Sequence, residues 1–342
     1  MILGTDYPTL WFLVVGGLFS GYAILDGFDL GAGAWHLFFR KEESRRIALN
    51  AIGPVWDGNE VWLVIGGGAL FAGFPPVYAT LLSLMYVPFM LFLACLILRA
   101  VAIEFRSKEP MRWWRQTWDV LYSVSSALLA FLLGVVLGNV LYGIPLGEGF
   151  SLQGHWLQFL HPYALLVGGT TLSLFMMHGA IYLTMKTEGR LFARVNQLLR
   201  RSMTLFILLF SLTTLVTLLF IPHLSDRFRQ IPWLGVVPLL AVLSIANIPR
   251  LVTNRKYGPA FAFSSLTVSL LLFMVAIELY PVLILSTVDP KYHLTVHNAA
   301  ASPASLSIML TIAAIGAPLV LAYTAFVFYT FRGKVRMDDS SY

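Results

Sequence analysis

Apolar residues along this chain do not alternate with polar ones. They run on for roughly 20 residues or more at a time between short polar links, the length needed to cross a bilayer as a helix. Nine such runs cover about 8–38, 48–73, 76–104, 113–141, 161–186, 202–222, 231–252, 257–285 and 304–331. A transmembrane barrel would show segments of about ten residues with alternating hydrophobicity, and none is present. The pattern predicts an all-α membrane protein with nine transmembrane helices, a single polytopic domain over 1–342. Its first run follows seven residues without a basic stretch and is too long for the core of a signal peptide, so it reads as a retained helix.

The polar links are not alike. Those on one side hold Arg40, Lys41, Arg45, Arg46; Arg106, Lys108, Arg112, Arg115; Lys186, Arg190, Arg194, Arg200, Arg201; Arg250, Arg255, Lys256; and Arg332, Lys334, Arg336. The other side holds only Arg227, Arg229 and Lys291, and Arg99 lies inside a run. Nineteen against three predicts an external N-terminus and a cytoplasmic C-terminus, as an odd number of spans requires. This distribution also explains the net charge of +6 without a nucleic-acid partner. With 58% hydrophobic and 12% charged residues, no soluble domain is left over.

Prolines at 54, 88, 238, 281 and 318 are expected to kink or loosen helices, and Gly66, Gly67, Gly68, Gly168 and Gly169 to allow close helix contact. Val15-Gly16-Gly17 precedes Asp26-Gly27 by the interval that separates Val167-Gly168-Gly169 from His178-Gly179. This short echo fits two four-helix units of like direction plus a ninth helix. Cys95, the sole cysteine, excludes intrachain disulfides and reads as packing.

Acids inside the apolar runs carry the chemistry. Each costs roughly 2.5 to 3.5 kcal/mol to insert. Asp26 and Asp29 share a helix face, as do Asp57 and Glu60. Folding the first two spans about residue 43 sets Asp29 level with Asp57, and Asp26 level with Glu60. Two ionised carboxylates about 5 Å apart repel by ~3 kcal/mol at an effective dielectric of ~20, so any facing pair should share a proton or flank water. No cation lies in their own hairpin, which points to proton or cation handling or to a partner's charge. Asp119 lies near the depth of Arg99 across the next hairpin, predicting an ion pair between those two. Glu278 reads as interfacial. Of seven histidines only His178 is deep, and it reads as a hydrogen-bonded packing residue. His36 falls at a cytoplasmic end, and His155, His161, His223, His293 and His297 in or beside outer loops. No catalytic triad, phosphate loop or metal motif is present, so the chain alone does not read as an enzyme.

"DGFDLGAG" at 26–33 and "RRIALNAIGPVWDGNEVWLVIGGGALFAGFPPVYA" at 45–79 resemble the characteristic segments of subunit II of the cytochrome bd-type quinol oxidases, including their cyanide-insensitive relatives. "FRSK" at 105–108, Trp118-Asp119, "GNVLYGIP" at 138–145 and "FAFSSLT" at 261–267 continue the resemblance in order. It departs at Glu60, where some members have Gln, and in a short outer loop at 223–231. The resemblance implies two four-helix bundles (about 8–141 and 161–285) plus a peripheral helix (about 304–331), in a bacterial or archaeal cell membrane. It implies a complex that oxidises quinol and reduces dioxygen to water, with two b-type haems and one d-type haem in subunit I and none ligated here. Subunit I would be the partner, with lipids, quinol and room for a small single-helix subunit.

In that family the subunit II acids are suspected of helping deliver cytoplasmic protons, and Asp29 and Asp57 are the matching positions. Two rival readings remain at this stage: a secondary transporter using the acids as a cation site, and a purely structural membrane subunit.

Overall fold

The structure, a computed structural model, describes residues 5–335, and nearly all of it is helix. Arg336, counted above among the basic residues, lies outside the described residues. Eight helices are long and apolar enough to cross a membrane, or up to nine if a bent pair counts as one span. In chain order the major elements are α1 (Tyr7–Trp35), α2 (Glu42–Ile52), α3 (Trp56–Gly73), α4 (Pro75–Leu84), α5 (Tyr86–Phe105), α6 (Arg112–Tyr142), α7 (Pro162–Lys186), α8 (Gly189–Phe220), α9 (Asp226–Gln230), α10 (Val236–Thr253), α11 (Tyr257–Leu279) and α12 (Pro303–Thr330).

Two expected spans are broken, and proline explains both breaks. The run 48–73 divides into α2 and α3 at Gly53 and Pro54, because Pro54 can neither bond the Asn50 carbonyl nor clear it. The run 76–104 divides at Met85: Pro88 would need to bond the carbonyl of Leu84, and α4 ends there. The bent pair is α3 and α4, which meet at Phe74 at 117°. With 18 residues, α3 rises about 27 Å, enough for the apolar layer. Pro318 sits within α12 without ending it, and so does Pro249 in α10, which the sequence reading passed over. Pro238 falls in the first turn of α10, where its missing N–H costs nothing, and Pro281 follows the end of α11.

Helix α1 is central. It packs against α3, α6, α7, α11 and α12, while α7 packs against α1, α6, α8 and α11. Helix α5 lies on α6, and α10 on α11. The α1–α7 crossing depends on glycine. A Cβ on Gly31 would strike the Phe175 carbonyl, and one on Gly179 would strike the backbone of Gly31 and Ala32. Gly27 faces the Phe175 ring at the same crossing, so Gly27 and Gly179 of the echo do meet the partner helix. A Cβ added at Gly16, Gly17, Gly67 or Gly68 would meet nothing within 4 Å; at Gly66 it would meet Phe19, and at Gly168 Phe131 and Val135. At the end remote from the basic links, a short antiparallel pair, β1 (Val282–Ile284) with β2 (Leu294–Thr295), closes the loop before α12.

Candidate functional site

Three helices bring two of the intramembrane acids, Asp26 and Glu60, to one guanidinium. Asp26 and Asp29 face inward from α1, Glu60 from the first turns of α3, and Arg99 from the middle of α5. Arg99, Asp26 and Asp29 have no solvent exposure. Arg99 grips Asp26 with both terminal nitrogens: Nη2 donates to Oδ1 at 2.6 Å and Nη1 to Oδ2 at 3.0 Å. Nη1 also donates to Glu60 Oε1 at 2.7 Å. This planar two-bond clasp is the strongest geometry available to an ion pair. The level pairing of Asp26 with Glu60 is therefore realised through a shared cation.

Asp29 is not beside Asp57. Its Oδ2 accepts a 2.7 Å bond from Asn59 Nδ2, and its Oδ1 is buried without a hydrogen-bond partner in the protein. Asp57 lies in the first turn of α3, where the helix dipole favours a carboxylate. It is exposed, one turn from Glu60, and lines a groove of about 500 Å³ between α3 and α12, with Asn59, Trp62, Tyr323 and Thr324. The two acids on α3 are thus staggered along the axis by about 4.5 Å.

The expected Arg99–Asp119 pair does not form. Arg99 is drawn to the two acids that lack any cation of their own, and Asp119 has other cations nearer. It accepts from His36 Nε2 at 2.5 Å, Arg106 Nε at 2.5 Å and Arg45 Nη1 at 2.8 Å. Arg106 continues to Glu42 at 3.0 Å. His36, Asp119 and Arg106 are each about 1% exposed, so this network ties α1, α2, α5 and α6 together at the basic end. Sequence reasoning placed His36 at a helix end and missed its role. The clue was Arg106 in "FRSK", whose side chain folds back toward Asp119 thirteen residues on.

His178 is fully buried. Its Nε2–H donates to the Ile24 carbonyl at 3.0 Å, and its Nδ1 accepts from the Ser264 hydroxyl at 2.6 Å. Phe261 stacks on the ring with centroids 4.6 Å apart. Both ring nitrogens are engaged, so an iron would have to displace one of these bonds. Among the described residues no group of three or more His, Cys, Asp or Glu is arranged to hold a metal ion. Glu278 lines a second, mainly apolar cavity of about 430 Å³ among α6, α7, α8 and α11.

Residues 7–331 match the family described as cytochrome bd terminal oxidase subunit II. The chain belongs to that family. It is 32% identical to the cytochrome bd-I ubiquinol oxidase subunit 2 of Escherichia coli K12, over 98% of this chain and 97% of that one. It is also 32% identical to the cytochrome bd ubiquinol oxidase subunit 2 of Bacillus subtilis 168, over 95% and 96% of the two chains. The bd oxidase of Geobacillus thermodenitrificans has a chain of the same fold, with a TM-score of 0.80 at 18% identity, covering 95% of this chain and 98% of that chain. The protein is thus a multi-pass membrane subunit of a terminal respiratory oxidase, an oxidoreductase complex. That membership removes the transporter reading.

Proposed function

We propose that this chain is the subunit of a membrane quinol:dioxygen oxidoreductase that ligates no haem. In this reading it stabilises a haem-bearing subunit I and conducts protons toward it from the cytoplasm. The haems, two b-type and one d-type, belong to that partner, which also receives quinol. The four-electron reduction of dioxygen to water consumes protons inside the membrane, and apolar helices alone cannot pass them. The observation that carries the proton role is the buried carboxylate cluster around Arg99, with Asp57 standing one turn away at the mouth of the groove. Two carboxylates on one guanidinium, with Asp29 buried beside them and bonded only to Asn59, cannot all stay ionised cheaply in a low-dielectric setting. Such a cluster holds a proton and can exchange it. Helices α1 to α6 and α7 to α11 read as two four-helix units joined where α7 meets α1 and α6, with α12 peripheral.

The test uses the intact complex. Asp57→Asn and Asp29→Asn should each lower quinol oxidase turnover by about tenfold or more while haem content stays complete. Wild-type turnover in both, from mildly acidic to mildly alkaline pH, would leave only the structural role. Asp57 should matter more than Glu60, since Gln stands at the latter position in some members of the family.

A further inference from the structure

We propose that Arg99 is a positioning residue that sorts the buried acids, holding Asp26 as a fixed counter-ion and leaving proton exchange to Asp29, with Glu60 as its outer neighbour. This rests on the proton-route reading above.

The three acids are not equivalent. Both oxygens of Asp26 are committed to the guanidinium, one to each terminal nitrogen. Adding a proton to Asp26 would break one arm of that clasp and strand a donor in a fully buried site. Glu60 has a single bond, to the nitrogen it shares with Asp26, and its side chain keeps 19% exposure. Asp29 has no cation of its own. Its one bond comes from a neutral amide, and its second oxygen is buried and unbonded within the protein. A guanidinium keeps its proton at any physiological pH, so Arg99 cannot relay one; it can only fix where charge stays.

Charge counting gives the same division. One guanidinium neutralises one carboxylate, and the two-bond geometry assigns it to Asp26. The remaining pair, Glu60 and Asp29, must be lightened by a proton. Among the described residues, the other titratable groups that interact with these acids are Tyr22 on α1, Asp57 on α3, Tyr122 on α6 and Tyr182 on α7. Transfer then runs as simple exchange. Asp29 accepts a proton arriving from the Asp57 side, with Glu60 as a second acceptor on that side, and releases one inward, so no net charge accumulates.

The experiment compares four variants of the intact oxidase: Asp26→Asn combined with Arg99→Gln, Arg99→Lys alone, Asp29→Asn and Glu60→Gln. Haem content reports assembly, turnover against pH reports proton delivery, and infrared difference spectra report a protonated carboxyl. The charge-balanced double variant should assemble, retain the carboxyl band and turn over faster than Asp29→Asn. Asp29→Asn should lose the band and about tenfold or more in turnover, and Glu60→Gln should lose less. A double variant that is haem-complete but as slow as Asp29→Asn, or that loses the band, overturns the proposal. Should the double variant fail to assemble, Arg99→Lys decides. Lysine keeps the charge but not the fork, so Asp26 should begin to titrate and the pH profile should gain a step; an unchanged profile overturns the proposal. Full turnover in haem-complete Asp29→Asn and Glu60→Gln, by contrast, would sink the proton route itself.

Discussion

Asp119 takes bonds from His36, Arg106 and Arg45 at a site with almost no access to solvent. Its charge is what allows two arginines to sit there. Asp119→Asn removes that charge and leaves Arg106 buried with only Glu42 for a partner ion. The expected loss is about 3 to 5 kcal/mol, the usual cost of orphaning one member of a buried pair. Thermal unfolding in detergent should show it as a clear drop in midpoint, and an unchanged midpoint would mean the network is relaxed by water. A smaller effect is expected at Asp6, which caps α1 by accepting from the Thr9 amide at 2.9 Å. The Thr9 side chain and amide hold the Asp6 carboxyl below the usual carboxylate range. A depressed value means the cap is complete at neutral pH and weakens only as pH falls through that lowered value. Asp6→Ala should cost about 1 kcal/mol.

Helix α1 can sit at the centre of the molecule only because α7 can lie directly against it. That approach is set by Gly31 and Gly179, where a side chain would overlap backbone rather than another side chain. Backbone cannot rotate out of the way, so Gly179→Val should separate the helices and cut the yield of assembled, haem-containing complex several-fold. Gly67→Ala and Gly68→Ala are the controls. Both positions face open space in this chain and should leave folding of the subunit unchanged. Equal loss in the controls would show that the crossing is not what limits assembly.

At the scale of the whole molecule, the basic residues occupy one end. Lys41, Arg46, Lys108, Arg112, Arg190 and Arg255 lie in or beside the links on that side, while Arg227, Arg229 and Lys291 hold the other. Reporter fusions after residues 43 and 75 and at the C-terminus should read cytoplasmic, external and cytoplasmic. An external reading at the C-terminus would rule out the odd number of spans. On the proposed reading that orientation would put Asp57 on the cytoplasmic side of the acid cluster, so a topology result also tests the direction of proton entry.

Sequence alone determined that this is a multi-span helical membrane protein, because span length and loop charge are local properties of the chain. It also marked every member of the acid cluster, since a carboxylate in an apolar run is costly wherever it packs. Tertiary structure decided the partners. Arg99 could have reached Asp119 by depth along its own hairpin; packing turned it instead toward Asp26 and Glu60 on α1 and α3, and gave Asp119 to His36, Arg45 and Arg106. Depth can be read from residue counts. The azimuth of a side chain around its helix, and which helix stands opposite, cannot, because both are set by the glycine crossings and proline breaks acting on the assembled bundle. The breaks at Gly53-Pro54 and Met85 follow the same rule: the prolines were visible, but whether each would end a helix or be carried within it depended on the surroundings of the freed carbonyl.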